Sequence, residues 1–202
     1  MKRLNHPSLL FIFFSSFLLI GCSTAYYKTM ESIGIHKRDI LVDRVEEARD
    51  AQEESKEQFQ SALERFTTVL NFDGGELEDK YNQLNKEYEQ SADRAEEVSE
   101  RIESVEDVAQ ALFKEWKVEL QEYQSSKLRQ SSEKKLKQTQ REYKKLISAM
   151  KKAESKIDPV LTALHDQVLF LKHNLNAKAI ASLHSELGSI KSDVSQLIKE
   201  ME

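Results

Sequence analysis

Apolar residues recur at alternating spacings of four and three. The longest series runs through Leu77, Tyr81, Leu84, Tyr88, Ser91, Ala95, Val98, Ile102, Val105, Ala109, Leu112 and Trp116. A seven-residue repeat puts such a series on one stripe of an α-helix, and nearly everything between is charged or polar, so the stripe must be buried against a partner. Upstream, Leu41, Val45, Ala48, Gln52, Ser55, Phe59, Ala62, Phe66 and Val69 carry the same spacing and predict a helix over residues 36–71, weakened where Gln52 and Ser55 occupy its seam. The intervening Asn71-Phe72-Asp73-Gly74-Gly75 supplies glycines that close helices, and Glu76 places a negative charge at the next helix start. So short a connection predicts an antiparallel helical hairpin.

Beyond Trp116 the pattern passes Leu120 and Tyr123 and then thins, because Lys127, Gln130 and Lys134 would take the seam positions. It resumes with Leu136, Thr139, Tyr143, Leu146, Met150, Ala153 and Ile157. With no Gly or Pro to enforce a break, the helix is expected to run on from residue 76 to 157 as a polar, under-packed section; the alternative is an opening across residues 125–132. Asp158-Pro159 then reads as a cap and first-turn proline opening a helix over 159–202. Its seam carries one extra residue between Leu175 and Ile180, a local change of winding. The fold expected over residues 36–202 is all-α: an elongated antiparallel coiled coil or helical bundle of three or four long helices.

The beginning of the chain differs in kind. Lys2 and Arg3 precede an apolar run from Leu9 to Ile20 that is too short to span a bilayer, which reads as a secretory signal over residues 1–21. Leu19-Ile20-Gly21-Cys22 resembles a bacterial lipobox, which implies cleavage before Cys22 and acylation of that residue. Cys22 is the only cysteine, so it forms no disulfide within the chain. By the same resemblance Ser23, standing where an Asp would favour inner-membrane retention, points to the outer membrane, with the chain facing the periplasm. Residues 22–35 are expected to be a tether, with Tyr26 and Tyr27 either at the bilayer interface or packed on the first helix.

Composition sharpens this picture. Five Gly, two Pro and 32% charged residues suit long amphipathic helices rather than a compact α/β domain. The net charge of −5 is unevenly spread: acidic residues outnumber basic ones 21 to 8 from Asp43 to Asp107, and basic outnumber acidic 11 to 3 from Lys127 to Lys156. Lys134, Lys135, Lys137, Arg141, Lys144, Lys145, Lys151 and Lys152 therefore form a candidate contact surface for an anionic partner. The competing expectation is that this face is solvated or lies against the acidic hairpin. An exported chain is not expected to meet nucleic acid.

Catalytic patterns are missing. The glycines do not form a phosphate-binding loop, and the sequence has no Gly-x-Ser-x-Gly, His-Glu-x-x-His or paired-cysteine motif. His165, His173 and His184 would stand about 12 and 16 Å apart along one helix, too far for a single ion. No enzyme activity, cofactor, metal or small-molecule substrate is expected.

The run from His36 to Arg49, preceded by Tyr26-Tyr27 and Met30-Glu31, resembles an uncharacterised family of proteobacterial coiled-coil proteins catalogued as a domain of unknown function, over most of the mature chain. The resemblance implies no activity or catalytic residue. The function expected is that of a lipid-anchored envelope scaffold or adaptor, attached to the membrane at Cys22 and meeting a protein partner or further copies of itself through its helices. The alternative is a peripheral lipid-surface protein that uses amphipathic helices and the basic stretch 127–156.

Overall fold

The computed structural model describes residues 22–71, 76–174 and 177–202; the signal expected over 1–21 lies outside them. Six helices and no strand occur among the described residues: α1 (Cys22–Ser32), α2 (Lys37–Asn71), α3 (Leu77–Glu119), α4 (Ser126–Glu154), α5 (Ile157–His173) and α6 (Ala177–Met201). The chain is an all-α helical bundle.

Its axis is α3, whose 43 residues extend about 65 Å at 1.5 Å per residue. α2 runs antiparallel to it, and the ion pairs between them step in opposite directions: Lys37 with Glu115 at 2.9 Å, Glu47 with Arg101 at 3.1 Å, Glu54 with Arg94 at 2.7 Å. Between these rims the two repeats interdigitate. Ala48, Phe59, Ala62 and Phe66 of α2, with Leu84, Val98, Ile102 and Val105 of α3, are almost wholly enclosed.

Two different cores follow along this hairpin. Toward the α2–α3 connection, α5 lies along α3 with the His165 ring 5.0 Å from that of Tyr88, and α6 returns along α2 until Glu200 meets Lys152 at 2.6 Å. Four helices enclose Phe59, Phe66, Leu84, Leu164, Leu171, Ile190 and Leu197 there. Toward the other end, α4 covers Ala109, Phe113 and Leu120 with Leu136, while α1 covers Val108 and Ile40 with Tyr27.

Three expectations are corrected. The helix expected to run from 76 to 157 is interrupted: α3 ends at Glu119, and the chain turns back through residues 120–125 into α4. Continuation would have left a helix with no apolar stripe to bury. The turn instead folds Leu120 and Leu136 onto Phe113, Ser125 caps α4 by accepting from the Leu128 amide at 3.4 Å, and Trp116 Nε1 donates to Ser132 Oγ at 2.8 Å. The opening therefore lies ahead of residues 125–132.

The last segment is likewise two helices. α5 starts at Ile157, two residues before the proline. Pro159 is tolerated there because amides of a first turn need no intrahelical acceptor, but it has no N–H for the Ser155 carbonyl and so separates α5 from α4. The extra residue near Leu175 marks an end rather than a change of winding: α5 stops at His173, Asn174 Nδ2 caps the Phe170 carbonyl at 2.9 Å, and α6 reverses direction.

Residues 22–35, expected as a tether, contain α1 docked on the bundle. A tether would leave Tyr27 in water, whereas docking encloses it against Ile40 and Val108. Gly34, at φ 87°, closes α1 with Gly34 N–H to Glu31 O at 3.0 Å and Ile35 N–H to Met30 O at 3.0 Å. This is a Schellman motif at a residue free to be left-handed.

The polar positions in the α2 seam carry a cost that mutation can read. Gln52 is buried and reaches the Met150 carbonyl at 3.4 Å, but the Ser55 hydroxyl is enclosed with no hydrogen-bond partner. A desolvated, unsatisfied hydroxyl costs about 1–3 kcal/mol, so Ser55→Ala is expected to raise stability by about 1 kcal/mol in thermal or urea unfolding. Ile102→Asp, at a residue 1% exposed, is expected to lower it by several kcal/mol. Unchanged unfolding in the second variant would refute the packing of α3 described here.

Candidate functional site

Cys22 is the first residue of α1, and α1 is held on the bundle by a small cluster built from three helices. Tyr27, 8% exposed, fills a pocket of Ile40, Leu41, Val108 and Ala111, with Met30 beside it. Lys37 Nζ sits 5.7 Å from the centre of the Tyr27 ring and donates both to Glu31 of α1 and to Glu115 Oε1 of α3, the latter at 2.9 Å. A lysine 8% exposed requires such partners, because an unpaired buried ammonium would shed its proton or open the site. Hydrogen bonding from Lys37 holds the Glu31 carboxyl below its ordinary range. Burial works against the Lys37 ammonium, but its hydrogen bonds to Glu115 and Glu31 prevail and raise its pKa. Burial, followed by Asp107, pushes the Tyr27 phenol up.

The sequence marks Lys37 only as one of a small basic cluster with Lys28 and Arg38 beside Cys22, where attraction to anionic lipid is the expectation, and does not distinguish its carboxylates. The available signal is that Lys37 lies four residues before Leu41 and so extends the α2 seam inward by one turn.

Between the α1–α2 turn and the start of α4 lies a cleft of about 710 Å³ lined by Glu31, Lys37, Leu112, Trp116, Glu119 and Leu128 among others. Burial, reinforced by Glu115, Glu122 and Glu31, raises the Glu119 pKa. Its lining mixes an indole, aliphatic side chains and charges of both signs. No group of three His, Cys, Asp or Glu suited to a metal occurs among the described residues. No helix among them is long and apolar enough to cross a membrane.

The basic residues singled out from the sequence all lie on α4 and all are exposed. Only two reach another helix: Lys151 pairs with Glu106 of α3 at 2.6 Å, and Lys152 with Glu200 of α6 at 2.6 Å. Lys137 and Lys145 pair within α4, with Glu133 at 2.6 Å and Glu142 at 3.4 Å. Lys134, Lys135, Arg141 and Lys144 make no ion pair among the described residues. α3 and α6 therefore compensate the end of this stretch and leave its middle free, because α4 turns Leu136, Ile147 and Met150 into the bundle and its charges outward.

Lys37, bridging Glu31 of α1 and Glu115 of α3, acts as a latch on α1 and predicts a pH window. Glu31, with a lowered pKa, contributes stability that is complete above its ordinary value of 4.5 and is lost as pH falls through the folded-state value below it. Lys37, with a raised pKa, contributes stability that is complete below 10.5 and is lost as pH rises through its folded-state value. Relative to the intrinsic rate at each pH, amide exchange across residues 22–32 is expected to be slowest between these limits. In Lys37→Met it should rise while exchange in α3 stays unchanged; equal protection of α1 in both proteins would exclude Lys37 as the latch.

Comparison with curated proteins and with solved structures returned no match. A family model does match, across residues 26–202, from the α1 tyrosines through α6. The chain therefore belongs to the family described as protein of unknown function (DUF2959).

Proposed function

We propose that the chain is a cell-envelope lipoprotein, held in the outer membrane through acylated Cys22 with its helices facing the periplasm, and that it serves as a scaffold or adaptor without catalysis of its own. One observation carries this reading. The lipobox-like Leu19-Ile20-Gly21-Cys22 is followed at once by α1, and α1 is docked on the bundle through Tyr27 and Lys37. An acyl group on Cys22 would tie the membrane to the bundle through a folded element rather than a slack linker. Several acyl chains on one residue exceed the two signals that stable anchoring requires.

A second reading is that the free cations of α4 serve anionic lipid headgroups, each worth about 1 kcal/mol near such a surface. The unpaired Lys134, Lys135, Arg141 and Lys144 favour an anionic partner of some kind. The scaffold reading ranks first because an acyl anchor already supplies attachment.

Cys22→Ser tests the anchor. The variant is expected to leave the membrane fraction and to incorporate no labelled fatty acid, while keeping its helical content. Membrane fractionation that persists without label would reject anchoring at Cys22.

A further inference from the structure

Two lines of charge run along the outside of this bundle, and they match each other. On α2, Asp43, Glu46, Asp50, Glu53, Glu57 and Glu64 are all exposed and are spaced by three, four, three, four and seven residues. That is the repeat of the α2 core, displaced to the opposite side of the helix, so these carboxylates form one straight stripe. On α4, Lys127, Lys134, Arg141, Lys145 and Lys152 are exposed and spaced by seven, seven, four and seven, again opposite the buried face. Each stripe is about 30–40 Å long at 1.5 Å per residue.

Each stripe is only partly neutralised within the chain: Asp50 and Glu53 pair with Arg49 and Lys56, and Lys145 and Lys152 with Glu142 and Glu200. The remaining members, Asp43, Glu46, Glu57 and Glu64 on α2 and Lys127, Lys134 and Arg141 on α4, make no ion pair among the described residues, and neither does Lys144 beside the basic stripe. The stripes also do not face each other, since α2 and α4 meet α3 along different sides. α2 joins it through Glu47–Arg101 and Glu54–Arg94, and α4 through Trp116–Ser132 and Glu106–Lys151. Both helices run antiparallel to α3, so they point the same way.

We propose that the basic stripe of α4 docks on the acidic α2 stripe of a second copy of this chain. This supplies the partner that the scaffold reading leaves open, and it rests on that reading only for its role in the envelope. The two stripes differ in side and in height along α3, so the contact is heterologous and staggered. Every added copy leaves one acidic and one basic stripe unused, and assembly proceeds as an open chain rather than a closed dimer. Parallel docking of α4 on α2 keeps every copy at one polarity, the arrangement that suits molecules anchored to the same membrane. Being electrostatic, the contact weakens as the screening length falls from about 10 Å at 0.1 M salt toward about 3 Å at 1 M.

Sedimentation of the 22–202 chain carrying Cys22→Ser tests this directly. At about 0.03 M salt, where screening is weak, its average mass is expected to rise with concentration beyond a dimer, and near 0.5 M it should return to the monomer. One variant removes the unpaired charges of the acidic stripe (Asp43→Asn, Glu46→Gln, Glu57→Gln, Glu64→Gln) and another those of the basic stripe with the neighbouring Lys144 (Lys127→Gln, Lys134→Gln, Arg141→Gln, Lys144→Gln). Each alone is expected to stay monomeric with undiminished helical circular dichroism, and an equal mixture to form a one-to-one dimer that grows no further. A merely structural role for these charges would not produce that complementation. A parent chain monomeric at low salt overturns the proposal without needing either variant. So does a parent chain that remains monomeric but co-sediments with phosphatidylglycerol-containing vesicles, which would assign the basic stripe to lipid. Neither result bears on anchoring at Cys22, which is read by fractionation.

Discussion

Everything in this bundle depends on burying α3 along more than one of its sides. A helix about 65 Å long that is charged between its apolar positions cannot persist alone in water, since helical propensity contributes little and most stability comes from packing. α2 covers only part of that surface. α5 covers more of its first half, while α4 and α1 cover its second half from different sides. α3 therefore accumulates neighbours, and the turn at residues 120–125, the proline bend after Ser155 and the reversal near Asn174 each bring another segment back along the hairpin.

The hairpin and the all-helical class are legible because a heptad repeat is a property of consecutive residues. The Leu77–Trp116 stripe names Leu84, Val98, Ile102 and Val105, which are the residues enclosed against α2. What periodicity does not report is a helix buried on two sides. Val108 and Phe113 lie off the stripe, yet Val108 is enclosed by α1 and Phe113 by α4. Ile147 is likewise buried where the repeat selects Leu146, which is 37% exposed. A single stripe describes contact with a single partner, and the upper half of α3 has three.

The break after Glu119 was hidden for a related reason. Helix continuation and helix reversal give the same local pattern when neither Gly nor Pro intervenes, and the difference lies in whether Leu120 and Leu136 are better buried together than apart. That is a tertiary quantity, decided by Phe113 and Trp116. The latch was hidden more completely. Lys37, Glu31 and Glu115 come from three helices and are ordinary surface residues until the fold brings them together, where the enclosed ammonium must be paired.

The same geometry sets α1 and α4 against different sides of α3. α1 meets α3 at Val108 and Ala111, and α4 meets it at Phe113 and Leu120. At 100° per residue, Val108 and Phe113 point about 140° apart around the helix. Cys22 opens α1, five residues and about 7.5 Å along the helix from the enclosed Tyr27. Of the α4 cations, Lys135 lines the cleft shared with the α1–α2 turn, whereas Lys134, Arg141 and Lys144 lie outside that cleft. An anionic membrane attracts cations that face it and is screened from those on the far side of a helical bundle within one or two Debye lengths of about 8 Å. On the proposed anchoring at Cys22, the α4 cations outside that cleft are the ones available to a protein surface beside the chain.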